Sequence, residues 1–159
     1  MAQVESIVRS QIIPLTGINM VLPNTSIAEI INYSKPSPVD DAPDWFLGTV
    51  DWRGITIPIV SFEKANEIKA SRKSKNTRIA VLNGLSGNDD LSFYGVVVQG
   101  IPRLASLDEA SIQAISEPKV ELPLALAQAE VADVDAVIPD QIKLEKLLKK
   151  AGAAVGKVI

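Results

Sequence analysis

Arg53 and Gly54 stand between two apolar runs, and they are the residues here whose type and spacing best suit gripping another molecule. An arginine held in a fixed position at a turn is a common anchor of protein interfaces; the plainer reading is a turn residue whose guanidinium reaches only solvent. The other candidates for chemistry are carboxylate pairs: Asp40 with Asp41, Asp89 with Asp90, and Asp133 with Asp135. All lie in turn-like sequence, where acidic side chains serve backbone capping and solubility better than general acid–base catalysis. The chain has no Cys and no His, which excludes disulfides, thiolate nucleophiles, imidazole bases, Cys/His zinc sites and a histidine phosphoacceptor. The expectation is a non-enzyme without metal or cofactor.

The elements that must position Arg53 are read from residues 45–62. The run predicts a β-hairpin with Arg53 and Gly54 as central turn residues, Gly54 supplying a positive φ. In that register Trp52 lies opposite Ile55, Val50 opposite Ile57 and Gly48 opposite Ile59, making one face apolar. The other face pairs Asp51 with Thr56, Thr49 with Pro58 and Leu47 with Val60. Pro58 then falls at a non-hydrogen-bonded site, which suits it if the outer side of its strand is an edge.

Around the hairpin, 4–15 and 18–22 read as a second hairpin turned at Thr16-Gly17. Ser26 precedes Ile27, Ile30 and Ile31, whose spacing predicts a short helix, with Ser26 and Glu29 as a capping box. Residues 35–43 hold three prolines and read as an extended connection. One helical turn is expected at 63–68, an exposed basic loop at 69–78, strands at 77–83 and 93–98, and a helical turn at 107–112. Gly95 signals a bulge or a close backbone approach. Residues 125–130 are ambiguous between helix and strand, and 131–138 favour strand, with a turn at 133–135 open. From Lys143 the period is helical, with Leu144, Leu147, Leu148 and Ala151 inward and Glu145, Lys146, Lys149 and Lys150 outward. The lysines suit the C-terminal end of a helix dipole, and the tail after Lys150 is expected to fray.

With 159 residues and a formal charge of −3, the chain is expected to be one domain with no general attraction for nucleic acid or acidic membranes. It shows neither a signal-peptide pattern nor a membrane-length apolar run, so a cytoplasmic protein without membrane insertion is expected. Eight to ten short strands with few helices argue closed or sandwiched β-structure.

Ile-Ala-Glu-Ile-Ile at 27–31, Ala-Pro-Asp-Trp-Phe-Leu-Gly at 42–48, Arg53-Gly54, Ile-Pro-Ile-Val at 57–60, Phe-Tyr-Gly-Val-Val-Val at 93–98 and Leu-Glu-Lys-Leu-Leu at 144–148 together resemble the CheW family of chemotaxis coupling proteins. The spacing of Gly48, Arg53-Gly54 and Pro58 is the specific part. The resemblance implies two SH3-like five-stranded barrels around a shared core, acting as a non-enzymatic adaptor. Its implied partners are the regulatory domain of a CheA-type histidine kinase and the cytoplasmic tip of a chemoreceptor. It also implies a partner-binding set of Glu29, Arg53, Gly54, Ile55 and Pro58, leaving Glu29 open between a helix cap and an interface charge. Departures from the family pattern are Ser61, Asp51-Trp52, Gln99 and the lack of an aspartate in the helix opening near Lys143. They suit a divergent, accessory member, for example in a pilus-linked twitching system. The alternative is a small nucleic-acid-binding β-barrel using the basic loop 69–78, which would bind with steep salt dependence.

Overall fold

The computed structural model describes residues 8–68, 73–85, 91–107, 112–114, 122–131 and 134–154. The first sheet contains β1 (Val8–Pro14), β2 (Asn19–Pro23), β8 (Arg103–Leu107), β9 (Ile112–Ala114), β10 (Ala125–Val131) and β11 (Val134–Pro139), in the order β8-β1-β2-β11-β10-β9. The second contains β3 (Ile27–Asn32), β4 (Phe46–Trp52), β5 (Ile55–Val60), β6 (Arg78–Asn83) and β7 (Phe93–Val98), in the order β3-β6-β7-β5-β4. A one-turn helix α1 (Phe62–Ala65) follows β5, and α2 (Gln141–Ala154) follows β11. The three-residue β9 takes the first sheet to six strands, one more than the five expected of each barrel.

Each sheet is apolar on both faces. Ile79 and Val81 of β6 face a cluster with Val50, Trp52, Ile57, Ile59 and Val97, whereas the alternate residues Ala80 and Leu82 face a larger one. That larger cluster takes Ile13, Met20 and Leu22 from the first sheet, Tyr94, Val96 and Val98 from the second, and Leu144, Leu148 and Ala151 from α2. A third cluster, with Ile12, Val21, Leu107, Ala129 and Val131, fills the first sheet's other face. Alternation along β1, β2, β6, β7 and β11 thus divides their side chains between a private core and a shared one, whereas β8 and β10 keep exposed residues along much of their length. Glu63, 1% exposed, fastens the two halves: its Oε2 accepts from Thr16 Oγ1 at 2.8 Å and from Gln99 Nε2 at 3.4 Å.

Several sequence expectations change. Residues 27–31 are not a helix: Ile27–Asn32 is a strand paired with β6, and Ser26 ends a 3-10 turn without a side-chain cap, so no capping box forms. The helical spacing came from a β-bulge at Ala28, where Ile27 faces Leu82 and Glu29 faces Val81. The extra residue puts Ile27 and Ile30 on one face three positions apart, imitating a helix. The expected pair Leu47–Val60 is likewise replaced by Phe46–Val60 across a bulge at Leu47. Residues Leu107 and Ile112 belong to strands, with 108–111 outside the described residues. The ambiguous run 125–130 is strand, and Val131 and Val134 face each other in the β10–β11 hairpin.

α2 begins before Lys143. The Asp140 carbonyl accepts the first helical bond from Leu144 and its carboxylate accepts from Lys143 N at 3.0 Å, so Asp140 caps the helix. The helix continues past Lys150 to Ala154, with no basic residue in its last turn, and the rest of the tail that was expected to fray, 155–159, lies outside the described residues. Glu145, expected outward, is fully buried. Its carboxylate accepts from Leu85 N at 2.8 Å and from the Tyr94 hydroxyl at 3.4 Å. Burial beside this carboxylate pushes the Tyr94 phenol far up, against the opposing hydrogen bond from Gln141.

Candidate functional site

The β4–β5 hairpin has the expected turn. Trp52 faces Ile55, and both central residues take left-handed backbone, Arg53 at φ 49° and Gly54 at φ 77°. This is the type I′ pattern whose twist matches paired strands. Glycine adopts it freely, whereas at Arg53 it costs about 1 kcal/mol, so the hairpin holds a strained arginine at its tip.

The expected pairing of Thr49 with Pro58 is present, and the Thr49 N–H and C=O bond instead to the Ser37 C=O and N–H at 2.9 and 2.8 Å. Pro58 therefore deprives its partner of nothing. Its strand is not an edge, however: β5 lies between β4 and β7, and the parallel ladder to β7 starts one residue later at Ile59. The expected extended connection runs along β4 at Ser37. Gly48, φ 137°, lets it do so, because a Cβ there would collide with the Ser37 carbonyl.

The bulge at Ala28 decides where Glu29 points. In unbroken register Glu29 would oppose Ala80 and face the shared core; the extra residue places it opposite Val81, on the face of Trp52. Glu29 Oε1 accepts from Trp52 Nε1 at 3.0 Å and from Arg53 Nε at 3.1 Å, and Arg53 Nη2 lies 3.1 Å from the same oxygen. The guanidinium also sits 5.3 Å from the Trp52 ring centroid, and that ring packs on Phe93 at 4.9 Å. The hydrogen bonds from Trp52 and then Arg53 hold the Glu29 carboxyl below its ordinary value of 4.5.

The arrangement is a surface and not a cavity. The Arg53 side chain is 68% exposed and that of Glu29 38%, and Gly54 and Ile55 are exposed beside them. Pro58 is buried, so of the five expected partner residues the structure brings four to the surface around the hairpin tip. Trp52 and Phe93 were not among the expected site residues. The signal for Trp52 was its place next to Arg53 on the apolar face.

Of the carboxylate pairs, Asp40 and Asp41 are exposed in a turn, Asp135 is exposed on β11, and Asp89, Asp90 and Asp133 lie outside the described residues. Among the described residues no group of three or more acidic side chains could hold a metal ion. The basic loop is described from Lys73, whose ammonium lies 4.9 Å from the ring centroid of Tyr33, a residue of the segment after β3. No helix among the described residues is long and apolar enough to cross a membrane.

The model of the CheW-like domain matches residues 8–144. This chain belongs to the CheW-like family. Among solved structures it is similar to the scaffolding protein TtCheW of Thermoanaerobacter tengcongensis, with a TM-score of 0.71 and 18% identity over 87% of this chain and 88% of that one. Comparison with curated proteins finds no match. At that identity the structural likeness speaks for the fold: the two sheets of this CheW-like chain are the paired SH3-like barrels of the CheW fold.

Proposed function

We propose that this CheW-like chain is a non-enzymatic, cytoplasmic adaptor of a bacterial chemosensory pathway. In this reading it couples the cytoplasmic tip of a chemoreceptor to the regulatory domain of a CheA-type histidine kinase. Family membership supports the scaffold role. The observation that carries the partner-binding reading is the hairpin tip, where a strained turn displays Arg53 between an aromatic pair and the Glu29 carboxylate. Such an anchor needs no rearrangement to meet a partner, and arginine is among the side chains that most often dominate interface energetics. Glu29, Arg53, Gly54 and Ile55 form the contact, and Pro58 supports it from within. The departures at Ser61, Asp51-Trp52 and Gln99 suit an accessory coupling protein, such as one serving a pilus-linked system.

The test is a calorimetric titration of the chain with a CheA-type regulatory domain, repeated with a chemoreceptor tip fragment and with duplex DNA. Saturable binding to either protein, without salt-sensitive DNA binding, supports the adaptor. DNA binding alone would support the rival barrel that uses loop 69–78.

A further inference from the structure

The exposed side of α2 carries a second surface, remote in sequence from the hairpin tip. Gln141, Leu144, Glu145, Leu148 and Ala151 are buried, and the arc between them holds Lys143, Lys146, Lys149 and Lys150, with Ile142, 42% exposed, at the N-terminal end of the same arc. At 3.6 residues per turn these four ammonium groups share one side of the helix over about 10 Å of its axis.

Two ordinary explanations for such lysines fail here. The helix dipole favours cations in the last turn, but α2 runs to Ala154 and its last turn holds none. Helix surfaces also gain from lysines paired with acids three or four residues away. The one acid of α2, Glu145, is instead withdrawn into the core by Leu85 and Tyr94. Lysine faces lysine at 143 and 146, at 146 and 149, and at 146 and 150, spacings at which like charges destabilise a helix. Among the described residues Lys143 alone of the four has a tether, its Nζ donating to the Pro123 carbonyl at 3.1 Å, and none of the four forms an ion pair.

We propose that this face of α2 is a docking surface for an acidic polypeptide segment. Carboxylates of such a segment would relieve the lysine repulsion, and Ile142 gives it an apolar point of contact. A bilayer is a poorer occupant, because the apolar side of the helix is consumed in the shared core and none is left to enter the membrane. Nucleic acid is poorer too, because the face carries neither an arginine nor an aromatic to stack on a base.

The experiment titrates the full chain with fluorescently labelled poly-L-glutamate at low and raised salt, alongside duplex DNA of matched charge and anionic phosphatidylglycerol vesicles. Binding of poly-L-glutamate that weakens with salt is expected, with at least a tenfold loss in Lys146→Glu/Lys149→Glu/Lys150→Glu. The control Lys73→Glu/Lys75→Glu should bind as the wild type does. Thermal melts confirm folding, and Lys146→Ala/Lys149→Ala/Lys150→Ala, expected to lose at least threefold, decides the matter if charge reversal unfolds the chain. No binding of poly-L-glutamate, unchanged binding by the folded α2 variant, equal loss in the control, or DNA or vesicles bound as tightly would overturn the proposal.

Discussion

At the scale of residues, one carboxylate oxygen organises the exposed site. Glu29 Oε1 receives the Trp52 indole N–H and the Arg53 guanidinium together, so its charge orients both. The bonds lower the folded-state pKa of Glu29, so they stabilise the fold fully above its unfolded value, and that contribution is lost as pH falls through the folded value below 4.5. An NMR titration of the Glu29 carboxyl is expected to show a midpoint under 4.5 that moves upward in Trp52→Phe; an unchanged midpoint would remove the indole as the main cause. Arg53→Asn places a residue tolerant of left-handed backbone at the turn, so its melting temperature should equal or exceed that of the wild type. The turn was legible in the sequence because two apolar runs met at Arg-Gly. The orientation of Glu29 was not, because Ser-Ile-Ala-Glu before isoleucines imitates a capping box, and nothing local in those residues announces a bulge.

At the scale of elements, close approaches place the hairpin and buried carboxylates fasten the elements to one another. Gly48→Ala should destabilise the fold by about 3 kcal/mol in chemical denaturation, since it combines a forbidden φ with a clash against the segment that covers β4. Gly95→Ala should cost less, about 1–3 kcal/mol, because its new methyl would press on the Ile59 and Ile79 side chains, which can give where a backbone carbonyl cannot. Gly95 had been read as a bulge or a close approach, and it is the second: its ladder to β6 runs without a break. On α2, Glu145→Ala should cost about 3 kcal/mol by leaving the Leu85 N–H without its acceptor. The core side of α2 was legible from its leucines, whereas Glu145 was assigned outward because charge normally marks the solvent side. Its burial depends on a loop sixty residues away in sequence, which no periodicity reports.

At the scale of the whole molecule, the two barrels share a core fed by both sheets and by α2, so neither should unfold alone. Trp45 packs against the shared core and Trp52 lies in the core private to the second barrel. Trp45→Phe and Trp52→Phe, each followed by the remaining tryptophan's fluorescence, should therefore give transitions that coincide with those seen by circular dichroism. Separated transitions would mean that the barrels are independent. The β-rich class and the paired barrels could be read from the density of short apolar runs and from the family resemblance; the bulges that set which face each strand gives to which core could not. The central claim is that the rigid tip of the β4–β5 hairpin presents Arg53 to another protein. Its most direct test is the dissociation constant of a CheA-type regulatory domain for the wild type and for Arg53→Asn. A folded variant that binds at least tenfold more weakly, a loss of about 1.4 kcal/mol, is the expected result; equal affinity in the folded variant would contradict the claim.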